Sequence, residues 1–273
     1  VLPVWRYMEQ KAAPDHGAGR AIKTVFVTML DQDRILLPPA YTLLTLREMG
    51  DAHAHACSIA GEVGAGTLVW VRRFDLIEFA VTLEPDTPLK DARRAFIAGM
   101  ASLAYAIASH CPPEKPLAFI WPDAIRFDGA LLGGGRLGIP DGCGENDVPE
   151  WLVFSAMLVG ARAGIWEPGF SPDITSMEEE GFDGVDARAI VESFASHFMN
   201  AFDTWTHQGF RPIAESYLER LPKERAADKR AIDSNGDLLT RSHNSAAPER
   251  TPLAPGFTGP NWFDPKTGEP RTA

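Results

Sequence analysis

Two hydrophobic periods share this chain. Leu89 to Ser109 carries apolar residues at three- and four-residue intervals (Phe96, Ile97, Met100, Leu103, Ala104, Ile107), predicting one long helix that Pro112 and Pro113 end. Glu48 to Ile59 reads as a helix opened by Asp51 as cap, and Ala187 to Thr206 and Ile213 to Leu221 as two more. Between them lie short apolar, β-branched runs: Ala21 to Met29, Val63 to Val71, Leu76 to Leu83 (closed by Pro85 and Pro88), Leu117 to Ile120 and Trp151 to Val159. Ile232 to Leu239 holds an Asn-Gly turn between apolar ends, predicting a small hairpin. Strands paired by turns, with helices between them, exclude an all-α fold and leave α+β or α/β.

The most informative stretch runs from Trp121 to Gly135. Asp128-Gly129 sits between two short apolar segments and predicts a tight hairpin, because Gly accepts the positive φ of a primed turn. Gly133, Gly134 and Gly135 then leave a strip of the return strand without side chains. Such a strip admits either a closely packed backbone or a ligand. Arg72, Arg73 and Arg136 are candidates to hold a carboxylate or phosphate near it, with surface charge as the alternative.

The 273 residues predict an arm and first strand over 1–34, a principal domain over 35–224, and a small hairpin with a Pro- and Gly-rich tail over 225–273. Phe257, Trp262 and Phe263 are the expected anchors of that tail. A net charge of -11 argues against nucleic-acid binding, which needs a basic surface, and disfavours anionic membranes. Three irregularly spaced cysteines imply no disulfide framework; with no apolar span and no signal-peptide pattern, the expectation is a cytoplasmic protein.

Few other motifs carry chemistry. His53 and Cys57 share a helix face, but His55 points elsewhere and no second cluster completes a tetrahedral metal set, so core or groove histidines are the favoured reading. Gly64-Ala65-Gly66 lacks the Lys-Ser/Thr of a phosphate loop, and no G-x-S-x-G elbow occurs. Glu178-Glu179-Glu180 reads as a solvated acidic run at a helix start. No catalytic side chain and no metal ligand is assigned.

The order of these pieces resembles the biotin/lipoate protein ligase superfamily, in its divergent ligase-like branch. The family signature Lys-Trp-Pro-Asn-Asp, hairpin, Lys-Leu-Gly/Ala-Gly-Ile-Leu is similar to Ile120-Trp121-Pro122-Asp123-Ala124, Asp128-Gly129 and Leu131-Leu132-Gly133-Gly134-Gly135. Gly66-Thr67-Leu68-Val69, Trp151 to Val159, Ile174-Thr175-Ser176-Met177-Glu178-Glu179 and the Asn235-Gly236 turn follow in the family's order. The resemblance implies an α+β fold of class II synthetase type, a mixed sheet flanked by helices with a small C-terminal appendage. It also implies acyl-adenylate chemistry, passing a biotin-, lipoate- or octanoate-like carboxylic acid to a lysine of an acyl-carrier domain.

The chemical positions depart from the pattern. The family lysine falls on Leu131, the Asn-Asp that places nucleotide and metal on Asp123-Ala124, and the Arg-Gly-Arg adenylate loop on Arg72-Arg73-Phe74-Asp75. The Ser-Thr-Asn opening the first helix falls on Gly50-Asp51-Ala52, and Gly-Asn-Val-Asn on Gly160-Ala161-Arg162-Ala163. Losing one donor to a developing charge typically costs about 10²–10³ in rate. The expectation is therefore a degenerate ligase or a binding module on its scaffold, with ATP and Mg entering only if family activity survives. Trp70, Arg72, Arg73, Trp121, Asp123, Gly133, Gly134, Gly135 and Arg136 are the expected ligand-binding residues. On simple strand alternation, Arg136 points away from Leu131.

Overall fold

The computed structural model describes residues 35–162, 173–182, 186–223, 225, 228–242, 247–260 and 262–271. The strand expected over 21–29 and the arm before it lie outside the described residues. The elements, in order, are β1 (Thr42–Leu46), α1 (Ala52–Ile59), β2 (Thr67–Val71), β3 (Leu76–Leu83), α2 (Leu89–Ala92), α3 (Ala95–Ala108), β4 (Leu117–Ile120), β5 (Ala124–Phe127), β6 (Ala130–Gly138) and β7 (Leu152–Val159). After these come α4 (Ala187–Gln208), α5 (Arg211–Arg220), β8 (Lys229–Ile232), β9 (Leu238–Arg241), β10 (Glu249–Thr251), α6 (Pro255–Thr258), β11 (Phe263–Asp264) and β12 (Glu269–Pro270).

Seven strands form one mixed sheet in the order β1-β2-β3-β7-β6-β5-β4. β1 runs parallel to β2 and every other neighbouring pair is antiparallel. All eight positions of β3 and of β7 are buried, as expected of central strands covered on both faces. β8, β9 and β10 make a separate three-stranded sheet, and β11 pairs with β12. The architecture is α+β, a seven-stranded mixed sheet flanked by helices, as the resemblance implies.

One face of the sheet carries the main core. Phe79 and Phe154 meet Phe194 of α4 at ring-centroid distances of 4.6 and 5.5 Å, and Phe198 and Phe202 continue the stack along the helix at four-residue spacing. α3 lies so close that a Cβ on Gly99 would come within 2.3 Å of the Phe154 ring. The opposite face is split. α1 covers one part, packing Ala52, Ala56 and Ala60 on Val69, Val71, Ala80 and Val153. Trp262 and Phe263 cover the other, against Leu76, Ala124, Met157 and Val159. The tail anchors are thus structural, and Phe257 adds an edge contact to Phe96 at 5.3 Å.

Two local expectations are corrected. The single helix over Leu89 to Ser109 breaks at Arg93 and Arg94, where the backbone stays right-handed but Arg94 and Phe96 bond three residues back, to Asp91 and Arg93. The Arg93 side chain is buried there, bonded to Asn235 O and Glu145. Glu178–Glu180 lies in a turn rather than at a helix start, and it is not simply solvated. Glu179 bonds Ser176 and pairs with Arg162, and Glu180 pairs with Lys115 and accepts from Thr175.

Candidate functional site

The hairpin forms where expected. Asp128 (φ 48°) and Gly129 (φ 87°) both adopt positive φ between β5 and β6, as a primed two-residue turn requires. The return strand does not alternate simply. Leu131 pairs with Arg126 and Gly133 with Ile125, so Leu132 is an extra residue, bulged into the helix-side core. The bulge reverses the expectation for Arg136: Leu131, Gly134 and Arg136 all face the C-terminal segment.

The glycine strip is closed. A Cβ on Gly133 would lie 2.1 Å from Met157 O, and one on Gly135 2.6 Å from Met100 Sδ. A Cβ on Gly134 would meet Asp123 O at 2.2 Å and the Trp262 indole at 2.6 Å. Close packing on both faces is what these glycines permit here, and Trp262 occupies the open side.

Beside it, a polar cluster joins α1 to the sheet. Asp51 caps α1 by accepting from Ala54 N at 2.8 Å, while Ala52 N donates to Glu78 Oε1 at 2.6 Å. Glu78 is buried in the middle of β3, which holds its carboxyl above the usual range. Arg136 reaches from β6 to within 3.7 Å of Asp51 Oδ1 and lies over the Phe263 ring at 4.2 Å. His53 Nδ1 and Ser155 Oγ are 2.7 Å apart, and His53 Nε2 and Cys57 Sγ 3.8 Å. Burial, helped by Arg136, lowers the His53 pKa to about 4, and burial raises that of Cys57 to about 11. At neutral pH the pair is a neutral imidazole and a thiol, not an activated thiolate. Among the described residues, no group of three His, Cys, Asp or Glu side chains could hold a metal ion.

Two cavities divide the other expected residues. Trp70, Arg72 and Arg73 line a cleft of about 1150 Å³ at the end of the sheet, with Arg47, Phe74, Ile77, Met177 and Phe182. Arg73 is held by both Asp75 oxygens (2.8 and 2.6 Å) and by Glu269 of the C-terminal segment at 3.1 Å. Trp121 and Asp123 line a smaller cavity of about 240 Å³ with Arg126, Leu131, Trp262 and Arg271. Asp123 is 4 % exposed, and burial pushes its pKa up to about 7. Arg136 and the three glycines line neither cavity.

Glu78 and Ser155 join the polar cluster without a motif that marks them in the sequence. Glu78 is the lone charged residue of Leu76–Leu83 and Ser155 the lone polar residue of Leu152–Val159, and that isolation is a readable signal.

A sequence model described as the biotin/lipoate A/B protein ligase family matches residues 37–219. The chain belongs to that family. Among curated members, a biotin--[acetyl-CoA-carboxylase] ligase of Paracoccus denitrificans is 30% identical over 140 residues, 50% of this chain and 55% of that protein. The chain thus spans little more than half the length of this relative. Among solved structures, a biotin protein ligase-like protein of unknown function from Silicibacter sp. TM1040 superposes with a TM-score of 0.68 at 25% identity, over 81% of this chain and 98% of that one. The Aquifex aeolicus biotin protein ligase in complex with biotin and ATP gives a TM-score of 0.56 at 12% identity, over 77% and 95%, and shares the fold. Leu131 is packed against the apolar cluster of Met157, Trp262 and Phe263. Among the described residues no helix is long and apolar enough to cross a membrane.

Proposed function

We propose that this member of the ligase family binds a small carboxylic acid of the biotin, lipoate or octanoate kind, and engages an acyl-carrier domain, with adenylate chemistry diminished or lost. The observation that carries this reading is Leu131 in its apolar cluster, where the family pattern has a lysine. Stabilisation of developing charge by preorganised donors is often the largest catalytic contribution, and this position supplies none.

The donor set does not fit a magnesium-bound nucleotide either. A Mg²⁺ site needs one or two carboxylates open to the ion and its waters. Asp123 is the carboxylate on offer at the family's Asn-Asp position; it is desolvated, and Ala124 stands beside it. The cleft at the sheet end, with Trp70 in its wall, has the volume for a carboxylic acid, and Arg47 and Arg72 lie around it beside the carboxylate-paired Arg73 and the acidic Glu48, Glu178 and Asp186.

The test is a thermal-shift panel of biotin, lipoate and octanoate, each with and without Mg-ATP. A ligand at about a hundred times its Kd stabilises by roughly 2.7 kcal/mol, which moves the midpoint by several degrees in a chain of this size. The expected result is a shift with an acid alone. A shift that needs acid and Mg-ATP together would return the chain to adenylate chemistry, and no shift with any acid would overturn the binding reading.

A further inference from the structure

A third cavity, of about 550 Å³, lies between α1, the end of β6 and α6, and shares no lining residue with the two described above. His53 and Cys57, one turn apart on α1, both line it, and Ser155 takes up only one nitrogen of the His53 ring. The other, Nε2, lies 3.8 Å from Cys57 Sγ. A Cβ on Gly138 would come within 2.4 Å of that sulfur and 3.4 Å of His53 Cε1, so the glycine gives the thiol and the ring their room.

The separation carries information. With bonds of about 2.3 Å to sulfur and about 2.0 Å to nitrogen, ligand atoms this far apart enclose an angle of about 120° at a shared metal ion. That is wider than a tetrahedral angle, and among the described residues no third His, Cys, Asp or Glu completes a closed zinc set. Hard ions such as Mg²⁺ and Ca²⁺ take oxygen ligands. A thiolate with an imidazole suits a soft ion, and Cu(I) is the soft ion that two ligands can hold. Arg136, paired with Asp51, is close enough to act on the charge of both His53 and Cys57. Cu(I) on a thiolate is neutral, whereas a divalent ion there would leave a positive charge facing a guanidinium that is itself largely buried.

We propose that His53 Nε2 and Cys57 Sγ form a Cu(I) site at this cavity. Binding replaces the thiol proton by the ion: the S–H bond breaks, the S–Cu bond forms, the proton leaves to solvent, and no electron is transferred. The site does not depend on acid binding in the large cleft.

The test is an anaerobic titration of the full chain against the Cu(I)–bicinchoninate complex, with Cys111→Ser and Cys143→Ser so that Cys57 is its one thiol. The chain is expected to withdraw one equivalent of Cu(I), and X-ray absorption of the product to show a sulfur and an imidazole nitrogen on copper. Cys57→Ser and His53→Gln are each expected to weaken Cu(I) at least tenfold, while His55→Gln, on the same helix, leaves it unchanged. Zn(II) at the same concentration is not expected to compete. No withdrawal of Cu(I), or full affinity in His53→Gln, would leave a thiol–imidazole hydrogen bond as the whole role of the pair and overturn the proposal. So would equal binding of Zn(II), or a copper shell without nitrogen, a spectrum that needs no ligand variant and stands even where His53→Gln fails to fold.

Discussion

Replacing Asp123 by Asn should stabilise the protein, and by an amount that depends on pH. The carboxyl is 4 % exposed, one of its oxygens has no partner, and burial raises its pKa from 3.8 to about 7. The folded pKa lies above the unfolded one, so folding favours the protonated acid. Its contribution is fully present below 3.8 and is lost as pH rises through about 7. Above that point the fold carries the whole penalty, ~4 kcal/mol. Asn has nearly the same shape and no charge to lose. Equilibrium urea unfolding of both proteins should therefore show the advantage of Asp123→Asn growing by about 3 kcal/mol between roughly pH 5 and pH 8, then levelling. A difference that stays constant with pH, or a variant less stable than the parent near pH 8, would refute the desolvation argument.

Other perturbations separate local from global roles. Trp262→Ala removes a buried indole, a change worth about 3–5 kcal/mol where the site cannot collapse. Hydrogen exchange should accelerate first at the amides of Phe263, Gly268 and Arg271, which hold the C-terminal hairpin; uniform acceleration across β3 and β7 would contradict a locally docked segment. Gly133→Ala combines φ 150° with a Cβ 2.1 Å from Met157 O and should cost about 1–3 kcal/mol or more. Gly61→Ala meets nothing within 4 Å and should leave the thermal midpoint near its parent value. Asp51→Ala should lose about 0.5–2 kcal/mol from the α1 cap, with Asp51→Asn recovering most of it.

What the sequence reveals here is what depends on near neighbours. Leu76–Leu83 is legible because an apolar, β-branched run stands between Asp75 and Pro85. Asp51 marks the start of α1 because a short acceptor can bond the free amide of Ala54. The Asp128-Gly129 turn is legible for the same kind of reason. What depends on remote partners is not. Arg93 and Arg94 break the long helix where Arg93 bonds Asn235 O and the Arg94 guanidinium lies over the Trp205 and Phe210 rings. The bulge at Leu132 turns Arg136 to the unexpected face, which alternation cannot foresee. The expected ligand-binding residues are spread over a cleft, a cavity and a closed strip, because sheet order, not sequence order, decides which of them meet. That Trp262 would seal Gly134 is a contact across more than a hundred residues.

The sheet order also sets how the chain can fold. β2–β3 and β4–β5–β6 are hairpins that can form from local contacts, but neither group pairs with the other. Only β7, the last of the seven strands in sequence, bonds both β3 and β6. Until residue 159 is available, two half-sheets exist, each with an unpaired central edge, the kind of surface that templates aggregation. β7 must insert between them at large sequence separation from β3, the costliest kind of closure. During synthesis the β3 edge is therefore exposed while Leu83 through Val159 is made and the β6 edge joins it once Gly138 is made, and a delay between Gly138 and Val159 is the moment at which this protein is most at risk of misassembly.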